Sequence, residues 1–130
     1  MQAKTKTITD AEVEVMKLLW REKQPMTLAQ IRGELLQTTK WNHSTIKTLV
    51  FRLRDKGVIT HLDKYGPAQY VPVVMEEEYL LGESESMLGK LFEGSAVKMI
   101  AALHQGGKLS DDDIAELRDF FKVGGGGGVE

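Results

Sequence analysis

The stretch NHSTIKTLVFRLRDKG, residues 42–57, reads as a helix with both ends marked. Asn42 carries a side-chain oxygen that can accept a hydrogen bond from an unpaired amide of the first turn. Ile46, Leu49, Val50 and Leu53 follow at i, i+3, i+4 and i+7, which gathers them into one buried stripe. Gly57, after Lys56, suits the position just past a helix end, where a left-handed backbone favours glycine. The positions left outside are Ser44, Thr45, Lys47, Thr48 and Arg52. Each can donate a hydrogen bond, and none is acidic.

Upstream, two further helices are marked just as clearly. Thr9 with Glu12 three residues on makes a capping box, and Ile8 can staple onto Val13. The run to about Arg21 is apolar over a wide face, with Val15, Met16, Leu18, Leu19 and a core Trp20. Pro25 ends the connection. Thr27 and Gln30 form a second capping box, opening a helix that carries Leu28, Ile31 and Leu35 and fades near Gln37. Downstream, residues 58–63 and 69–73 are rich in β-formers and flank the turn-forming cluster Lys64, Tyr65, Gly66, Pro67 and Ala68. Three short helices followed by a hairpin predict a winged helix-turn-helix, with the hairpin as the wing.

The second half changes character. A helix is expected from Met75 to about Phe92, with Leu80, Met87, Leu88 and Leu91 on one side and Gly82 and Gly89 weakening it. Ser95 starts another, with Val97, Met99, Ile100 and Leu103, ending at Gly106 and Gly107. Ser110 caps a last helix; Asp111, Asp112 and Asp113 occupy its first turn, where the helix dipole favours anions. Ile114, Leu117 and Phe121 form its apolar stripe. The fold class is therefore mostly α with a small β-hairpin. The expected divisions are a winged-helix DNA-binding domain at 1–73, a helical dimerisation domain at 74–123 and a glycine-rich flexible tail at 124–130.

Charge follows the same division. The net charge is −2, but residues 1–73 hold 12 Lys and Arg against 7 Asp and Glu, and residues 74–130 hold 5 against 12. A basic half, at +5, suits a polyanion; an acidic half, at −7, suits another role. There is no cysteine, which excludes disulfides and thiolate metal sites and fits a reducing compartment. The polar N-terminus lacks the apolar core of a signal peptide, and no apolar run approaches the ~20 residues of a membrane span. A soluble, cytoplasmic protein, associated with the nucleoid through DNA, is expected.

An α-helix fits the major groove of B-DNA. Ser44, Thr45, Lys47 and Thr48, in the first turns of the third helix, are the candidates for base edges, and Arg52 for the backbone. Taken alone, such a face also fits a solvated polar surface; the preceding helix-turn, the following wing and the basic first half favour DNA. Lys64 and Tyr65, at the wing tip, are candidates for phosphate or the minor groove, and an ordinary exposed turn explains them equally. Trp41 suits a hydrophobic staple beside Ile46 better than a backbone contact. His43, His61 and His104 stand on separate elements without ligand spacing, so no metal is expected. The glycine run has no following helix, Lys or Ser/Thr to make a phosphate loop. No cofactor and no enzymatic activity are expected.

The apolar stripes of the acidic half pair either with the winged helix or with a second chain. Two-fold pairing allows two half-sites to be read, so homodimerisation through Leu80, Leu88, Leu91, Ile100, Leu103, Ile114, Leu117 and Phe121 is the preferred expectation. The alternative function is a protein-interaction winged helix that docks a partner without specific DNA binding.

The residues just read also carry a resemblance. TDAE at 9–12 leading to Trp20, NHSTIKTL at 42–49 with Arg52 and Leu53, and DKGVI at 55–59 resemble the penicillinase repressor family, which includes the methicillin-resistance and copper-transport repressors. The similarity runs from residue 8 to about 122. It is strongest in TIKTLVFRLRDKGVI, where Thr45, Thr48 and Arg52 make a specific pattern, and it extends to LSDDDIAELRDFF at 109–121. It implies a winged-helix domain with its recognition helix at Ser44, Thr45, Lys47 and Thr48, a helical dimerisation domain, and repression at an inverted-repeat operator in double-stranded DNA. The family's β-lactam-responsive members are inactivated by cleavage between an Asn and a Phe, which makes an upstream sensor or protease a candidate partner. The matching bond here is Ala102–Leu103, so the Asn is missing. The cysteine cluster of the copper-responsive members is missing too.

Overall fold

A computed structural model describes residues 8–62 and 66–123. The element order is α1 (Asp10–Glu22), β1 (Met26–Thr27), α2 (Leu28–Thr38), α3 (His43–Asp55), β2 (Ile59–Leu62), β3 (Gln69–Pro72), α4 (Glu76–Leu91), α5 (Ala96–Gln105) and α6 (Asp111–Val123). The glycine-rich tail and the wing-tip residues Lys64 and Tyr65 lie outside the described residues. No described helix is long and apolar enough to cross a membrane.

The helix starts are those the sequence marks. Thr9 and Glu12 close a reciprocal capping box on α1, and Thr27 and Gln30 do the same on α2. Asn42 Oδ1 accepts the Thr45 amide at 2.8 Å to open α3. The end of α3 is a Schellman motif: the Gly57 amide donates to the Arg54 carbonyl and the Val58 amide to that of Leu53. Gly57 has φ 78°, which explains the glycine. Val58 and Leu53 are both buried, and apolar residues at these two positions commonly accompany the motif.

The sheet is larger than the expected hairpin. β1 joins it as a third strand, pairing antiparallel with β3 through Met26 opposite Tyr70 and Thr27 opposite Gln69, so the order is β1–β3–β2. Two residues give no alternating pattern to read, and Thr27 is also the N-cap of α2. β2 pairs with β3 from Ile59 opposite Pro72 to Leu62 opposite Gln69. β3 is central, yet it tolerates Pro72, which lacks an amide hydrogen, because the two-residue β1 stops short of it.

The chain divides into two compact units between Glu83 and Ser84, inside α4. The first holds a core of Val15, Met16, Leu18, Leu19, Ile31, Leu35, Ile46, Leu49, Val50, Leu53 and their neighbours from the sheet. Trp20 lies in this core, and its indole Nε1 donates to the Val74 carbonyl at 2.9 Å. Its ring meets Tyr79 at 5.6 Å between centroids, which seats the first turn of α4 on the same core. Burial, then the charges of Glu83 and Asp10, push the Tyr79 hydroxyl pKa up. In the second unit the helices are regular, but none of residues 84–122 is buried.

Candidate nucleic-acid interface

The geometry of α3 follows from its buried stripe. Ile46, Leu49, Val50 and Leu53 are buried, which turns Ser44, Lys47, Thr48 and Arg52 to solvent. Thr45, the third residue of the helix, is half-buried, and its amide donates to Asn42 Oδ1. The four exposed side chains carry two cations and two hydroxyls along about two turns of one helix. Trp41 is half-buried and packs against the core, where a staple would place it. The turn before α3 is tied down by Thr39, whose hydroxyl donates to the Leu35 carbonyl at 2.7 Å and accepts the Trp41 amide at 3.2 Å.

Three residues on this helix escaped the sequence reading. Phe51 is half-buried, and the Lys47 ammonium and the Arg54 guanidinium lie 5.5 and 4.3 Å from its ring centroid. Arg54 Nε also donates to Asp55 Oδ1 at 3.1 Å. A cation four residues before an aromatic, with another three residues after it, was the available signal, since both spacings bring helical side chains together.

A second contact holds α3 in place from its far end. Glu12, in the first turn of α1, is 1% exposed, and its Oε1 accepts from Lys56 Nζ at 2.6 Å and from the Thr9 amide at 2.9 Å. Burial alone would raise the Glu12 pKa. The hydrogen bond and charge of Lys56, with the contacts of Thr9, outweigh burial and hold it below the usual carboxylate value. The pair spans 44 residues of sequence, so no local pattern announces it.

On the wing, His61 stands opposite Tyr70 with ring centroids 6.0 Å apart, and β2 exposes Thr60, His61 and Leu62. Among the described residues no group of three His, Cys, Asp or Glu is placed to hold a metal ion. Leu80, in the first unit, is exposed; in the second unit Leu91, Ile100, Leu103, Leu117 and Phe121 are exposed apolar side chains, while Leu88 and Ile114 are half-buried. Ala102 and Leu103 are both exposed on α5.

A family model described as penicillinase repressor matches residues 8–122. The chain belongs to the penicillinase repressor family. Among its relatives, the penicillinase repressor of Bacillus licheniformis is 34% identical over 110 residues, 85% of each chain. The methicillin resistance regulatory protein MecI of Staphylococcus aureus is 31% identical over 121 residues, 93% of this chain and 98% of that one. The solution structure of the DNA-binding domain of the repressor BlaI matches with a TM-score of 0.50 and 35% identity, over 56% of this chain and 88% of that one. The monomeric form of Bacillus licheniformis BlaI, solved in complex with the blaP half-operator, matches with the same TM-score and coverage at 34% identity. The winged helix is thus a fold this chain shares with members of its family solved at atomic detail.

Proposed function

We propose that this member of the family is a transcriptional repressor that binds an inverted-repeat operator as a homodimer and has no enzymatic activity. The observation that carries the reading is the exposed face of two cations and two hydroxyls formed by Ser44, Lys47, Thr48 and Arg52, on a fold shared with a repressor solved on a half-operator. α3 enters the major groove. Ser44, Thr45, Lys47 and Thr48 approach base edges, and Arg52 neutralises backbone phosphate. Lys64 and Tyr65, read from the sequence as the wing tip, contact phosphate or the minor groove.

The helical half supplies the second copy. Leu80, Leu88, Leu91, Ile100, Leu103, Ile114, Leu117 and Phe121 form the dimer contact, leaving residues 1–73 as the DNA-binding part and 74–123 as the dimerisation part. The exposure of so many large apolar side chains on one unit supports this reading, since such patches mark association surfaces. Two recognition helices then fall about 10 base pairs apart, or a small multiple of that, on one face of the duplex. Occupancy of such a site blocks transcription in the cytoplasm.

Binding of the purified protein to a labelled fragment of its own upstream region, against random DNA across a salt series, tests this. Specific retention that falls steeply with salt, over a two-fold protected site, is expected. Absence of retention at low salt, with capture of a stable heteromer, would overturn it in favour of a docking module.

A further inference from the structure

Phe51 is unusual for a DNA-facing helix made of hydroxyls and cations. Ser44, Thr48, Phe51 and Asp55 recur at i, i+4, i+7 and i+11, which puts them along one side of α3. Phe51 is half-buried and packs against the core. The Lys47 ammonium, at 5.5 Å, and the Arg54 guanidinium, at 4.3 Å, lie over its ring. Asp55 Oδ1 also accepts from the same guanidinium at 3.1 Å. Arg54 therefore has two partners, an aromatic face and a carboxylate, and it offsets the one carboxylate on this part of α3.

Long cationic side chains give up rotamer freedom when they dock, and that loss weakens binding. A cation already stacked on an aromatic face has given up part of that freedom before it meets DNA. We propose that Phe51 is a positioning residue for operator recognition: its ring holds the Lys47 ammonium and the Arg54 guanidinium at a set spacing along α3, so that both reach the duplex already ordered. The assignment rests on the DNA-binding reading above. Phe51 itself makes no hydrogen bond; it acts through its two neighbours. The effect belongs to specific complexes, in which each cation has one place. Loose electrostatic association with random DNA does not require that order.

The test uses the full chain with Phe51→Leu, which keeps an apolar side chain against the core and removes the aromatic face, and Phe51→Tyr, which keeps the face. In the free protein, the methylene protons of Lys47 and Arg54 are expected to be shifted upfield by the ring current, and to relax in the Leu variant. On the fragment of its own upstream region, Phe51→Leu should weaken specific binding roughly 3- to 10-fold, with binding to random DNA unchanged. Phe51→Tyr should restore it, and thermal melting should match among all three proteins. Absent ring-current shifts, an unaffected Leu variant, a Tyr variant as weak as Leu, or equal weakening on both DNAs would each overturn the assignment alone. No specific binding by the unaltered protein would overturn the repressor reading and this assignment with it.

Discussion

Two apolar stripes of the same helical spacing meet opposite fates in this molecule. Along α3, Ile46, Leu49, Val50 and Leu53 are buried against α1, α2 and the sheet. Along α5, Val97 is 77% exposed, and Ile100 and Leu103 are each 39% exposed. Periodicity tells a helix which face it must cover, but not with what. The first unit closes a core from elements of its own chain. The second carries equally marked faces and leaves them open.

That contrast can be broken most forcefully in the first unit. Leu53→Ala should cost about 2–5 kcal/mol, the usual range for truncating a fully buried leucine, measured by denaturant unfolding. Ile100→Ala should leave the same transition nearly unmoved at high dilution. If the two substitutions proved equal, the division into a closed and an open unit would be wrong.

Glu12→Ala comes next, because it removes a buried carboxylate that accepts from both Lys56 and the Thr9 amide. Lys56 keeps some contact with water, so a loss of about 2–3 kcal/mol is expected, at or below the low end for breaking a buried pair. The pH dependence has a definite sign. The folded pKa of Glu12 lies below its unfolded value, so its contribution is present above the ordinary carboxylate range and is lost as the pH falls through the depressed folded value. Acid melting of Glu12→Gln should show a shallower loss than that of the unaltered protein; identical acid limbs would remove the pair from the account.

Leu103→Glu probes the open unit. It should raise the dimer dissociation constant by roughly 10-fold or more, since a carboxylate would be buried among apolar groups, and sedimentation reads this directly. A monomeric unaltered protein would remove the two-fold reading. Arg52→Ala should weaken binding to all DNA and reduce the salt slope by about 0.9, leaving association unchanged. The smallest effect is expected for Trp20→Phe, which deletes the hydrogen bond to Val74 and should cost about 1 kcal/mol in thermal or denaturant unfolding.

Much of the first unit was legible because its signals are local. The capping residues Thr9, Thr27 and Asn42 and the terminal Gly57 act within four residues of themselves, and each does in the fold what its position predicts. β1 was not legible, since two residues have no period and the partner strand is some forty residues away. The Glu12–Lys56 pair was hidden for the same reason. At the interface, the outward faces of Ser44, Lys47, Thr48 and Arg52 followed from the buried stripe. The Lys47–Phe51–Arg54 stack was local enough to read, but an aromatic beside a buried stripe is ordinarily taken as more core.

Both tryptophans of the chain, Trp20 and Trp41, lie in the first unit, one buried and one half-buried. The helices of the second unit contain none. Intrinsic tryptophan emission therefore follows only the winged helix, whereas far-ultraviolet ellipticity sums helices from both halves. A melting curve recorded by fluorescence is blind to the loss of α5 and α6, and any separation between it and the ellipticity curve measures how independently the two halves come apart.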